Sequence, residues 1–132
     1  MAYRIPQILA ALALLASQAG AAMPHDPAAQ ARAFATCLGR YSAVMEHGWL
    51  IGGDSSVAAT RRETFEDLLN AILPVARDHG FAGSQVWQYR LGAKQAQARL
   101  LQMAYFNSDP ARATRARTLA MRQVRTCDML IG

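Results

Sequence analysis

Apolar side chains recur three and four residues apart along most of the chain after residue 26, which is the spacing of one face of an α-helix. Four stretches with this spacing have recognisable ends, and they predict helices over residues 27–47, 56–73, 85–106 and 110–130. No stretch alternates polar and apolar residues as a half-buried β-strand does. The pattern therefore predicts an all-α fold.

The ends of these helices follow from their capping residues. Asp-Pro pairs at residues 26–27 and 109–110 place an N-cap acid before a proline, whose missing N–H costs nothing in the first turn. We expect the first helix to end at His47-Gly48, where glycine can take the left-handed conformation. Pro74 is expected to end or kink the second helix, because it lacks an N–H and clashes with the preceding turn.

Each predicted helix carries one apolar stripe that would face a shared core. The stripes are Phe34, Cys37, Leu38, Tyr41, Val44 and Met45; then Val57, Thr64, Phe65, Leu68, Leu69 and Ile72; then Val86, Ala93, Ala96, Leu100 and Met103; and finally Ala113, Ala116, Ala120, Val124, Cys127 and Ile131. Because short links join the helices, we predict one domain over residues 23–132 with the topology of an up-down four-helix bundle. Gly92, inside the third helix, is where a neighbouring helix is expected to approach closely.

The residues before the first helix have the order of an export signal. A basic start, Met1 to Arg4, precedes an apolar run over residues 8–16, and small residues follow at 19–22. This order is typical of a signal peptide, here residues 1–22, that is cleaved after export. The alternative is a retained membrane anchor, but a proline and glutamines interrupt a stretch that would need roughly 20 apolar residues. We therefore predict a periplasmic or secreted protein with no transmembrane segment in the mature chain.

Two cysteines, Cys37 and Cys127, lie on the inward stripes of the first and last helices. In an exported chain such a pair is typical of a structural disulfide, and we predict that bond here. The alternatives are two free buried thiols or a redox-active pair. Redox enzymes usually hold their thiols close in sequence at a helix N-terminus, which is not the arrangement in this chain.

The charge of the chain bears on its partners. It has 14 lysine and arginine residues against 9 acidic residues, a formal net charge of +5. The excess favours anionic neighbours, such as lipid head groups or acidic protein surfaces. Export makes nucleic acid a poor candidate, so the expected partner is an unidentified protein or envelope component, with a weak anionic-membrane contact as a further prediction.

Three histidines, His25, His47 and His79, each stand beside an acid. His47 and His79 fall near helix C-termini, where they would interact with the negative end of the dipole. The alternative is an enzyme or metal-dependent factor with His25, Asp78, His79 and Asp128 at one pole of the bundle. Since no Gly-x-Ser-x-Gly or Cys-x-x-Cys-His motif is present, we assign no catalytic residue, metal ligand or cofactor.

Two surfaces are candidates for binding. Trp49, Leu50 and Ile51 follow the first helix, and they either form an exposed anchor or fold back as an apolar cap, the reading we favour. Arg112, Arg115 and Arg122 share one face of the fourth helix, which is either a solvated face or a site for anionic groups. The sequence thus predicts a non-catalytic binding module of the periplasm or cell envelope. The alternatives are the polar-pole enzyme and a membrane-surface protein that docks by its fourth helix.

Overall fold

The computed structural model describes residues 23–132, so the predicted signal peptide at 1–22 lies outside the described residues. The described chain forms four helices, α1 (Pro27–Leu50), α2 (Ser56–Asp78), α3 (Gly83–Phe106) and α4 (Pro110–Ile131), and contains no strand. The all-α prediction is confirmed. None of these four helices combines the length and apolar content needed to cross a bilayer.

Helix α1 runs one turn further than the sequence predicts. Gly48 does not end it; the left-handed residue is Gly52, at φ +68°, and the Gly53 N–H donates to the Gly48 carbonyl over 2.8 Å. Gly48 instead makes room for α2, because a Cβ there would lie 2.2 Å from the Ser55 hydroxyl oxygen. The same hydroxyl donates to the Met45 carbonyl, which ties the start of α2 to the last turns of α1.

Helix α2 continues through Pro74 to Asp78, so the predicted end of this helix at residue 73 was wrong. Gly80 then adopts φ +84°, and the Phe81 N–H donates back to the Ala76 carbonyl over 3.0 Å. The His79 ring nitrogen Nδ1 lies 2.9 Å from the Val75 carbonyl oxygen. Histidine and glycine therefore cap this helix as predicted, although the corresponding pair at the end of α1 does not.

Helix α1 is the centre of the bundle. It packs along both α2 and α3, while α3 packs along α4. Helix α4 meets α1 over a much shorter stretch, near the C-terminal end of α4. The described helices thus form an up-down bundle in which α4 is held mainly by α3.

The core confirms the predicted stripes of α1 and α4 and corrects those of α2 and α3. Phe65 of α2 is fully buried and stacks on Tyr41 of α1, with ring centroids 5.9 Å apart. Val57, which was expected to be buried, is 70% exposed at the start of α2. On α3 the buried positions are Gln97 and Ala104. Ala96 and Met103, each one residue earlier, are exposed, so the predicted stripe was wrong by one position in this half of the helix.

The predicted disulfide is present. Cys37 and Cys127 are bonded, with their Cα atoms 5.6 Å apart and 90 residues apart in sequence. Arg40 strengthens the same junction, because its guanidinium donates to the Gln123 carbonyl and the Thr126 hydroxyl, each over 3.0 Å. Burial lowers the pKa of Arg40, since desolvation disfavours the charged form.

A glycine sets the distance between α1 and α3, but it is Gly39 rather than Gly92. A Cβ at Gly39 would lie 2.1 Å from the Arg90 carbonyl oxygen and 3.0 Å from the Lys94 amide nitrogen, so the two backbones touch there. A Cβ at Gly92 would meet nothing within 4 Å. The predicted close approach exists, but the prediction named the wrong glycine.

The disulfide should supply a large part of the stability. Closing a loop of 90 residues removes unfolded-state entropy worth about 4 to 5 kcal/mol in the chain-entropy model. We expect reduction, or the double substitution Cys37→Ala with Cys127→Ala, to lower the free energy of unfolding by about this amount. Urea unfolding with and without reductant measures it, and an unchanged midpoint would contradict the expectation.

The two helical glycines provide a matched pair of substitutions. Gly39→Ala forces α1 and α3 apart and should lower the free energy of unfolding by about 1 to 3 kcal/mol, as overpacking does. Gly92→Ala adds a methyl group in open space and should raise it by about 0.5 to 1 kcal/mol through helix propensity. Thermal unfolding of both variants compares them directly, and equal effects would show that the helices do not touch at Gly39.

Candidate functional site

A groove lies between α1 and α4, beyond the point where the disulfide joins them, and α3 forms its floor. We call it the α4 groove. Its volume is about 490 Å³, within the range typical of small-molecule sites. Val44 and Ile51 line it on the α1 side, Leu101 and Ala104 on the floor, and Val124 on the α4 side. Because these side chains are all aliphatic, the body of the groove favours an apolar occupant.

One polar side chain is buried in this apolar floor. Gln97 is 2% exposed, and its amide nitrogen Nε2 donates to the Ala120 carbonyl over 3.1 Å. Its oxygen Oε1 has no hydrogen-bond partner within residues 23–132. A buried acceptor without a donor costs about 1 to 3 kcal/mol of stability. Gln97 therefore leaves one unpaired acceptor in the floor of the groove, which a donor packed against this amide would pair.

Charged side chains stand at the rim. Arg117 and Arg125 both line the groove from α4, and eight residues separate them, about 12 Å along the helix. One nitrogen of Arg117 donates to the Ala104 carbonyl over 3.4 Å. On the α1 side, His47 packs edge-on against the Tyr105 ring, with centroids 5.2 Å apart. Both arginines can hold an anion with their guanidinium forks.

The single carboxylate of the groove, Asp128, is already engaged. It accepts a hydrogen bond from the Tyr41 hydroxyl and lies 3.6 Å from the Arg61 guanidinium. The pKa of Tyr41 is raised, first by burial and then by the hydrogen bond and negative charge of Asp128. These contacts join α1, α2 and α4 and close one end of the groove, so Asp128 acts there as a structural group.

The structure separates Trp49, Leu50 and Ile51, which were predicted as one surface. Trp49 and Leu50 belong to the last turn of α1 and are 64% and 66% exposed, so the reading as an apolar cap is wrong for these two. Ile51 is half-buried and lines the α4 groove. Trp49 borders a different cleft, of about 280 Å³, together with Trp87 of α3.

The three predicted arginines, Arg112, Arg115 and Arg122, are all exposed on α4. Arg112 lies 3.5 Å from Asp109 at the start of the same helix. None of the three lines the α4 groove, whereas Arg117 and Arg125, on another face of the helix, do. The sequence therefore identified the basic helix but favoured the face that does not border the groove.

The polar pole of the alternative hypothesis does not assemble in the structure. Asp128 contacts Arg61, which lies 17 residues from Asp78 along α2, about 25 Å at the rise of an α-helix. His25, Asp78 and His79 are exposed at the far end. Within residues 23–132, no three His, Cys, Asp or Glu side chains are grouped closely enough to hold a metal ion. Placing Asp128 at that pole was wrong.

Sequence reasoning missed Gln97. A glutamine on a helix is usually a solvent-facing residue, so the predicted stripe passed over it to Ala96. A usable signal was nevertheless present, because residues 86, 93, 97, 100 and 104 continue the spacing of three, four and seven residues without a break. A polar residue at a core position of such a stripe marks a candidate site.

Comparisons with known proteins add no assignment. No protein-family model matches the chain, and neither a curated protein nor a solved structure shows significant similarity to it.

The Tyr41–Asp128 contact predicts a pH dependence of stability. The folded state raises the pKa of Tyr41. The contribution of this hydroxyl to the free energy of unfolding is therefore complete below the ordinary tyrosine pKa of about 10, and it is lost as the pH rises above that value. Tyr41→Phe should lower the free energy of unfolding by about 1 to 3 kcal/mol at neutral pH, where the hydrogen bond is intact.

Urea unfolding of both proteins across this range gives the measurement. The difference in free energy of unfolding between the wild type and Tyr41→Phe should narrow above about pH 10. Only the wild type loses the contribution of the Tyr41 hydroxyl when this tyrosine ionises in the unfolded state. The other titrating groups are common to both proteins and cancel in the comparison. A gap that stays constant would contradict the assignment.

Proposed function

We propose that this chain is a non-catalytic binding protein of the periplasm or cell envelope, and that the α4 groove is where it holds an apolar ligand. The observation that carries this proposal is the groove itself, a concave site of about 490 Å³ with aliphatic walls and one buried amide. Mostly apolar sites with few polar groups, placed between the helices of a bundle, are typical of ligand binding.

The polar groups of the groove support binding rather than catalysis. Asp128 is engaged by Tyr41 and Arg61, and Arg117 and Arg125 carry guanidinium groups, which donate hydrogen bonds and are suited to holding an anion. A general acid or base needs a titratable group within hydrogen-bond reach of the reacting atom. His47, the one imidazole that lines the groove, packs edge-on against the Tyr105 ring.

Two features support export as the setting. The order of residues 1–22 is that of a signal peptide. The disulfide between Cys37 and Cys127 is of a kind that persists in oxidising compartments such as the periplasm. An apolar component of the envelope, or a partner protein that inserts apolar side chains, is the kind of occupant this setting supplies.

Two exposed surfaces extend the proposal. Trp49 and Leu50 project from the end of α1 and are suited to anchor a partner protein. The exposed face of Arg112, Arg115 and Arg122 suits a weak contact with an anionic membrane, which stays a prediction.

Binding of the neutral fluorescent dye N-phenyl-1-naphthylamine to the purified, oxidised protein tests the groove. We expect saturable binding of one dye molecule per chain, because the dye is apolar and the groove is a single site of about 490 Å³ with aliphatic walls. Met121→Trp should weaken it by about tenfold or more, since Met121 lines the groove and is already 57% exposed, so the larger side chain obstructs the mouth without disturbing the core.

Leu119→Trp is the matched control. Leu119 is 43% exposed on the same helix but does not line the groove, so this variant should bind the dye as the wild type does. Circular dichroism shows whether both variants are folded. Equal binding by the two variants would place the dye elsewhere and overturn the proposal.

A further inference from the structure

The α4 groove combines three kinds of surface that specify more than an apolar ligand. Its walls are aliphatic, its floor holds a buried acceptor at Gln97, and its rim carries Arg117 and Arg125. Resting on the binding function proposed above, we infer that the ligand is an amphiphile with an aliphatic chain, a hydrogen-bond donor beside that chain, and an anionic carboxylate or phosphate group.

The donor follows from Gln97. Its Nε2 is committed to the Ala120 carbonyl, which fixes the amide so that Oε1 is the free end. The side chain is buried at the bottom of the groove, and Oε1 is already shielded from water and unpaired, so an apolar ligand leaves this acceptor as it is. A ligand with an O–H or N–H at this depth pairs that oxygen, while one without it leaves the acceptor unpaired. The groove therefore discriminates between two ligands that differ only in this hydrogen.

The anionic group follows from the rim. Within the described residues, Arg117 and Arg125 make no ion pair, and the nearby carboxylate of Asp128 is paired with Arg61 instead. The rim is therefore positive where a ligand would enter. A guanidinium binds a carboxylate or phosphate through two parallel N–H···O bonds, which a neutral head group cannot offer. The two arginines stand about 12 Å apart along α4. An anionic group at either end of the ligand's aliphatic chain can therefore bind to one of them.

Three acyl compounds separate these requirements. N-lauroylglycine carries the chain, an amide N–H and a carboxylate; N-lauroylsarcosine differs from it by a methyl group in place of the amide hydrogen; and the methyl ester of N-lauroylglycine lacks the charge. Each is titrated below its micelle-forming concentration against the purified, oxidised protein with N-phenyl-1-naphthylamine bound. Displacement of the dye gives the three affinities.

We expect N-lauroylglycine to bind about tenfold more tightly than N-lauroylsarcosine, as expected for one buried hydrogen bond. The Gln97→Leu variant should lose this difference, because leucine has no acceptor. N-lauroylglycine should also bind about tenfold or more tightly than its methyl ester. That difference should shrink in the double variant Arg117→Gln with Arg125→Gln and persist in Arg122→Gln, whose arginine lies outside the groove.

The outcomes distinguish this inference from the proposed function. If the dye binds in the groove but the three compounds displace it equally, in the wild type and in the variants, the ligand class is wrong and the apolar binding function stands. If the difference between the glycine and sarcosine compounds survives in Gln97→Leu, the donor does not meet Gln97 and the inference is overturned. If the dye does not bind at all, the proposed function fails and this inference fails with it.

Discussion

The disulfide between Cys37 and Cys127 is the constraint on which the rest of this structure depends. Helix α4 packs along α3, but it reaches α1 only around the bridge, where Arg40 adds hydrogen bonds to the same turn of α4. Beyond that junction the α4 groove opens between the two helices. One covalent bond thus both stabilises the bundle and fixes one wall of its candidate site.

The floor of the groove has a different origin. At Gly39 the backbones of α1 and α3 touch, so the two helices lie as close together as backbone contact permits. Ion pairing between Lys94 of α3 and Glu46 of α1, at 2.6 Å, adds a contact further along the same interface. The floor residue Gln97 is therefore carried by a helix whose position is set by backbone packing, and a buried amide can be directed accurately only from such a rigid support.

Charge is distributed unevenly around this frame. The network of Tyr41, Asp128 and Arg61 closes one end of the groove and uses the carboxylate for structure. The arginines of α4 fall into two sets, one on the rim and one on the exposed face, so a single basic helix presents two surfaces with different neighbours. Only the rim set lines the α4 groove, so only its charges stand beside the aliphatic walls.

The sequence by itself determined the four helices, the inward faces of α1 and α4, and the disulfide, because each depends on spacing within one helix or on the only two cysteines of the chain. It did not show which glycine lies at a helix contact, since Gly39 and Gly92 have the same local setting and differ only in what faces them. It placed Trp49 and Leu50 wrongly, because the capping glycine of α1 was decided by the contact of Ser55 with Gly48. The groove, with Gln97 in its floor, was likewise decided only by the tertiary structure. Helical periodicity specifies which side of a helix is apolar. The gap between α1 and α4, in contrast, depends on where the disulfide, which joins two cysteines 90 residues apart in sequence, holds these two helices together.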